Sequence, residues 1–401
     1  MTKQKRPVLI AGGGIGGLSA SIALARAGIE TSVLERSAFT EESGAGIQLG
    51  PNATRLLRDM GVLDAIEPAA FKPEAIWLFD GVSGKRLATV PLGDNPEQRY
   101  GAPYVTLHRA DLHAGLHAVA ENLAPVELRS SFEITQVKTL EDGVTVQSAG
   151  GHRVEGSSLI GADGLWSAVR KTIAPGAELR FAGATASRGL IPTKDLPAPF
   201  SEPVVGLWLG PRSHLVHYPV RGGEALNVVA VSDGGGEVQG WNQQGDAAAL
   251  LSGFARWCRE SKSLLEQVEA WRRWSLYRLP TLNRWSVRTT TLLGDAAHPV
   301  LPFLAQGAAL AIEDAVTLAS SLGALPDDPA AAFRQYEALR RPRATRVERQ
   351  SRRFRWIYHL SGPARFARNF ALEHREPKNA LKQFDWLYGE TPNAATSKFV
   401  A

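Results

Sequence analysis

Three glycines, Gly12, Gly14 and Gly17, stand in the pattern G-x-G-x-x-G, and an acid, Glu35, follows roughly 20 residues on. This spacing is suited to holding the pyrophosphate of a dinucleotide. Gly12 permits a tight turn, Gly14 lets the backbone approach a phosphate, and Gly17 lets a helix pack closely on a strand. The helix start offers N–H groups and a positive dipole end. Glu35 is placed to accept a hydrogen bond from a ribose hydroxyl, and Arg36 beside it joins the binding candidates. The elements needed to position these groups are present. Residues 8–11 read as a buried strand, 15–27 as a helix ended by Gly28, and 31–34 as a second strand ending at Glu35. A glycine-rich turn without a ligand would explain the glycines alone, but not the whole βαβ frame.

Two further stretches place an aspartate beside glycine after an apolar run: Gly161-Ala162-Asp163-Gly164 and Gly294-Asp295-Ala296-Ala297-His298-Pro299. Turn or capping aspartates are the plainer reading of each. Gln306-Gly307 opens an apolar helix. His214 and Tyr218, four apart on a strand reading HLVHYP, point to one face, and His217 points to the other. His108, His113 and His117 share a segment without metal-ligand spacing, so no metal site is expected. The lone Cys258 excludes an internal disulfide and a C-x-x-C pair, fits a reducing cytoplasm, and reads as a packing residue.

At 401 residues the chain is long enough for two domains. No apolar run is long enough to span a bilayer. Lys3, Lys5 and Arg6 resemble the start of a signal peptide, but the glycines and Arg26 break the stretch behind them, so export is not expected. The net charge of +5 has one local source, residues 334–355, with nine arginines against two glutamates. That segment reads as an amphipathic helix with Val347, Phe354 and Ile357 inward and its arginines outward. Single-strand nucleic-acid binding is its alternative. Gly44, Gly46 and Gly50 suggest a flexible loop, followed by a helix from Pro51 to about Leu57. A hairpin over 76–79 and 86–90, a helix over 108–123, and strands over 126–129, 134–140 and 144–148 come next. Residues 181–279 change character. Strands over 204–209, 214–219 and 226–231 precede helices over 247–260 and 264–270. Gly234-Gly235-Gly236 does not make a second dinucleotide fingerprint, because Gln239 stands where its last glycine should be.

Together, G-x-G-x-x-G with Glu35, Gly161-Ala162-Asp163-Gly164 and Gly294-Asp295 resemble the single-component FAD-dependent aromatic hydroxylases, the para-hydroxybenzoate hydroxylase-like class, over residues 8–355. The stretches GAGIQLGPNATRLL, HRADL, HLVHYPV and GDAAHP…QGAALAIEDA are most similar to hydroxylases of salicylate, 3-hydroxybenzoate and 6-hydroxynicotinate. The resemblance implies an α/β fold: a Rossmann-like FAD-binding domain (1–75, 102–180, 280–330), an inserted antiparallel-sheet substrate domain (76–101, 181–279) and C-terminal helices (331–401). It implies FAD, with NADH or NADPH reaching the flavin transiently, O2, and a small aromatic substrate attacked by a flavin C4a-hydroperoxide. No nucleic acid or membrane partner is expected, and a cytoplasmic homodimer is.

Carried over residue by residue, Arg109 would reach the FAD phosphates, Asp163 would lie in the cleft used by both FAD and the nicotinamide, and Asp295 would accept from FAD hydroxyls. Gly307 and Ala308 would face the flavin pyrimidine ring. Electrophilic attack calls for a deprotonated substrate hydroxyl, so His214 is the base candidate with Tyr218 its partner. Gln306 is a further catalytic candidate, placed to hydrogen-bond substrate over the flavin ring, Gln48 a candidate for lining the same cavity, and Arg188 for meeting a substrate carboxylate. His298 reads as a structural residue of its turn. A flavin oxidase, dehydrogenase or epoxidase on a non-phenolic substrate keeps the same fold and stays open.

Overall fold

The computed structural model describes residues 6–39, 45–238, 240 and 243–390. Lys3, Lys5, Gly44, Gln239, most of the polar stretch after Ala38 and everything beyond Glu390 lie outside them. Strand Val8–Ala11 is wholly buried and pairs in parallel with Thr31–Leu34 on one side and Ser158–Gly161 on the other. Val126–Arg129 and Thr290–Leu292 extend the sheet in parallel, and Ser286–Val287 closes it antiparallel. Its central strands are buried along their whole length, which is why they read as continuous apolar runs rather than alternating ones. Helix Ile15–Arg26 packs on helix Gly307–Ala324, and both share one apolar core with the sheet. Ala11, Gly161 and Leu292 are all carboxyl-terminal strand ends, so the three glycine-acid stretches emerge at one edge of the sheet.

The second sheet has eight strands, in the order Gln243–Gln244, Arg272–Arg278, Arg180–Pro192, Ala225–Asp233, Ser213–Val220, Val204–Gly210, Ala75–Asp80 and Arg86–Pro91. Every neighbouring pair is antiparallel except Val204–Gly210 with Ala75–Asp80. The strands Arg180–Pro192 and Arg272–Arg278 had no clear alternation in sequence. Their register shifts between Phe181 and Thr185, where Gly183 takes a φ of 70°.

Four expectations are corrected. The glycine loop after Gly44 contains a strand, Gly46–Leu49, antiparallel to Val105–His108. Gly46 serves close approach rather than flexibility, because a β-carbon there would lie 2.5 Å from Asn227 and 2.6 Å from Tyr218. The helix expected over 247–260 is two, Ala247–Gly253 and Arg259–Glu266, with Cys258 before the second. That second helix also ends at Glu266 instead of running over 264–270. Finally, the arginines of helix Pro329–Tyr358 do not all face outward. Arg340 and Arg343 are buried against Glu313 and Asp314, with N–O distances of 2.7 and 2.8 Å.

Candidate active site

The strand-to-helix turn is built from three glycines with three different needs. Gly12 has a φ of 99°, and a β-carbon there would meet the Ala162 carbonyl at 2.6 Å. At Gly17 it would fall 1.9 Å from the Gly12 carbonyl. At Gly14 it would meet nothing within 4 Å, because Gly14 faces an open groove. That groove, about 310 Å³, is lined by Glu35, Arg36, Arg109 and Asp163 among others. It runs into a second cavity of about 350 Å³, and Gly14, Arg109, Ala162 and Gly164 line both.

Glu35 is held before any ligand arrives. Its Oε2 accepts from the Gly13 N–H at 2.6 Å and its Oε1 from the Ser37 N–H at 3.0 Å. Asp163 is held by the turn that follows it. Oδ2 accepts from the Ala168 and Val169 N–H groups at 2.7 and 3.0 Å, as a capping aspartate does. Oδ1 is buried with no hydrogen-bond partner among the described residues, so the groove edge lacks one donor. Burial pushes this carboxyl above its ordinary range, against the pull of Ser167 and the helix N–H groups. Arg170, which sequence reasoning passed over, joins two of the motifs. Its guanidinium donates to the Leu165 carbonyl at 2.6 Å and the Ala296 carbonyl at 3.1 Å.

In the second cavity, Asp295, Gly307 and Ala308 line the wall at the N-terminus of the 18-residue helix Gly307–Ala324. The turn that presents Asp295 is anchored from below by Asp314. Its Oδ2 accepts from the Gly294 N–H at 3.0 Å and lies 2.6 Å from His298 Nε2, while Arg340 holds its Oδ1 at 2.7 Å. Burial alone would raise the Asp314 carboxyl, but His298 and Arg340 hold it down at about 2. His298 is thus placed as an anchor of its turn. Asn52 donates to Gln306 Oε1 at 3.0 Å and to Glu313 Oε1 at 2.7 Å, which fixes the amide of Gln306 at the cavity wall.

The facing wall comes from the eight-stranded sheet. His214, Val216 and Tyr218 all line the cavity, as alternation along one strand requires. His217 points the other way, into packing against Phe200 and Trp208. Gln48 reaches the same cavity, with the Tyr104 hydroxyl donating to its Oε1 at 2.7 Å. Burial pushes the Tyr218 phenol well above its ordinary value. His214 Nδ1 lies 2.9 Å from Nε2 of His359, a residue no sequence signal singled out. Burial, reinforced by His359, pushes the His214 imidazolium well below its usual range, so the ring is neutral. Arg188 pairs across the sheet with Val229, a cavity residue, and therefore shares its face. It is not itself on the wall. Its guanidinium lies 5.2 Å from the ring centre of Trp274, which is.

These features fit FAD: an extended groove passing from a carboxylate at a second strand end, over a side-chain-free glycine and an arginine, to a helix N-terminus. A model of the family described as FAD binding domain matches residues 5–351. The 3-hydroxybenzoate 6-hydroxylase of Polaromonas naphthalenivorans (strain CJ2) is 37% identical over 383 residues, 96% of each chain. The 3-amino-4-hydroxybenzoate 2-monooxygenase of Streptomyces platensis is 38% identical over 384 residues, 95% of each. Among solved structures, a salicylate hydroxylase substrate complex has a TM-score of 0.83 at 22% identity, covering 100% of this chain and 99% of that one. A Klebsiella pneumoniae protein complexed with FAD and uric acid has a TM-score of 0.82 at 24% identity, covering 94% and 95%. The chain belongs to the FAD-binding-domain family and is one of its FAD-dependent monooxygenases, the aromatic hydroxylases.

Proposed function

We propose that this monooxygenase hydroxylates a small hydroxybenzoate, 3-hydroxybenzoate foremost, using NADH or NADPH and O2. The observation that carries the reading is the convergence of His214, Tyr218, Gln48 and Gln306 on one cavity whose opposite wall is Asp295 and the helix start at Gly307. The two relatives described above are named for hydroxybenzoate substrates, which fits a cavity of about 350 Å³ shared between flavin and a small ring. Glu35 and Arg36 would hold the adenosine end of FAD, Arg109 and Asp163 the middle, and Asp295, Gly307 and Ala308 the flavin end. Bound FAD supplies the redox chemistry, in which electrons from NADH or NADPH and one molecule of O2 put a single oxygen atom on the ring.

The protein's own part is to prepare that ring. A phenolate is far richer in electrons than a phenol, so taking the hydroxyl proton favours electrophilic attack. His214 is neutral, with Nδ1 engaged by His359, which leaves Nε2 as the acceptor. Tyr218 and Gln306 orient the ring oxygen, and Arg188 behind Trp274 gives the cavity a buried positive charge for a substrate carboxylate. The helix N-terminus at Gly307 stabilises negative charge on the flavin side.

The test is a panel of salicylate, 3- and 4-hydroxybenzoate, 6-hydroxynicotinate and uncharged phenols. NADH and NADPH consumption, peroxide and product mass are followed together. The expected result with 3-hydroxybenzoate is a product heavier by one oxygen and little peroxide. Nucleotide oxidation that yields only peroxide across the whole panel would overturn the assignment.

A further inference from the structure

His214 accepts a proton in a place poorly suited to keeping one. It is 3% exposed, and a charged imidazolium there would have lost its water. Behind it, however, stands a chain of titratable groups that leads outward. His214 Nδ1 is 2.9 Å from His359 Nε2, and His359 Nδ1 is 2.7 Å from Asp233 Oδ2. Asp233 closes strand Ala225–Asp233, and its side chain is 22% exposed. We infer that His359 and Asp233 form a proton relay that carries the substrate's hydroxyl proton from His214 to solvent. This inference rests on the reading of His214 as the base.

The hydrogen-bond directions follow from chemistry. An ionised carboxylate only accepts, so His359 donates its Nδ1–H to Asp233, and in the neutral ring that leaves Nε2 as an acceptor. His214 must then donate its own Nδ1–H to His359, and the lone pair on Nε2 is left for the substrate. The base is therefore set in its working tautomer before substrate enters. The transfer balances in three moves. The substrate O–H bond breaks as His214 Nε2 takes the proton, and the electron pair stays on the ring oxygen. The Nδ1 proton of His214 passes to His359 Nε2. The Nδ1 proton of His359 passes to Asp233 and from there to water, so one proton leaves for each hydroxyl ionised.

The charged and titratable groups around this chain come from several elements. Arg355, on helix Pro329–Tyr358, donates to Asp233 Oδ1 at 2.6 and 3.0 Å. Against the cost of burial, His359 and Arg355 together hold the Asp233 carboxyl below its ordinary range, so it does not trap the proton. Tyr358 lies with its ring centre 5.6 Å from that of His214. Arg212 fixes the backbone, its N–H donating to the His359 carbonyl at 3.1 Å, and Arg368 donates to the Tyr358 carbonyl at 2.9 Å. Phe303, 5.0 Å from His214 and 5.7 Å from His359 between ring centres, walls both imidazoles with apolar surface.

FAD-loaded His359→Ala, His359→Gln and Asp233→Asn variants test the relay with 3-hydroxybenzoate as probe. Glutamine can accept the His214 Nδ1–H and so orient the base, but it cannot take up and pass on a proton. With the relay, both His359 variants lose about 10²-fold in kcat for hydroxylation, and Asp233→Asn about tenfold, with FAD content unchanged and KM within about twofold. If His359→Gln restores wild-type kcat while His359→Ala does not, His359 only orients His214 and the relay is overturned. A second readout needs no turnover: nitrogen NMR of the histidine-labelled holoenzyme. Nδ1–H tautomers at both His214 and His359, with that of His359 altered in Asp233→Asn, support the relay, and an Nε2–H tautomer at His359 overturns it. Should the wild type fail to hydroxylate 3-hydroxybenzoate while both tautomers are as expected, the substrate reading fails and the relay stands.

Discussion

His214 and His217 lie on one strand, yet the pleat gives them different fates: one on the cavity wall, the other sealed against Phe200 and Trp208. That division was legible in HLVHYP, because alternation needs no knowledge of the rest of the chain. What the sequence could not disclose is the far side of His214. His359 and Asp233 reach it only because a helix end meets a strand end, and no periodicity links positions so distant along the chain. Asp163 could not be resolved between cap and ligand from sequence, since one carboxylate oxygen caps the following turn and the other has no partner among the described residues. At this scale the prediction concerns the base. In His214→Ala, flavin reduction by NADH or NADPH should persist, while hydroxylation falls by roughly 10²–10⁴-fold and more peroxide escapes. Rapid-reaction absorbance and product mass measure the two halves separately. Unchanged coupling would remove His214 from the chemistry.

Strand ends and helix starts are the elements that make the groove. The βαβ unit was readable because its glycines, apolar periods and terminal acid agree with one another. The burial of Arg340 and Arg343 was not, because the period of a helix gives its faces but not what covers them. A sharper signal lay in Glu313 and Asp314, adjacent acids inside an apolar helix, which are buried only if cations meet them. Asp295→Ala should purify with most of its FAD lost and its far-ultraviolet circular dichroism unchanged; full flavin occupancy would contradict the placement of Asp295. Asp314 gives a pH dependence whose sign can be worked out. Its folded value of about 2 lies below the roughly 3.9 of an unfolded aspartate, so its stabilisation is complete above the unfolded value. It is lost as pH falls from about 4 towards 2. In urea titrations, the stability gap between wild type and Asp314→Asn should therefore be full near neutral pH and close over that acid window. A gap that stays constant down to the lower end would show that Asp314 does not titrate there.

At the scale of the whole molecule, the eight-stranded sheet draws on two distant stretches of chain. Six strands lie within residues 180–278, while the pair Ala75–Asp80 and Arg86–Pro91 is supplied from much earlier, between elements that line the groove and its cavity. The resemblance suggested such an insertion; composition alone showed only that residues 181–279 differ in character. The parallel pairing of Val204–Gly210 with Ala75–Asp80 is the seam, and all seven residues of Val204–Gly210 are buried. Cut out by itself, the 180–278 segment would carry that strand as a bare margin, with unpaired amides and apolar side chains offered to any neighbour. Such a fragment is predicted to aggregate edge to edge, as light scattering and thioflavin fluorescence would reveal, whereas the intact chain stays dispersed. A monodisperse fragment would show that the borrowed hairpin is dispensable. The early hairpin thus covers the margin at which the sheet would otherwise offer unpaired amides, and a truncation made to isolate residues 180–278 would remove it.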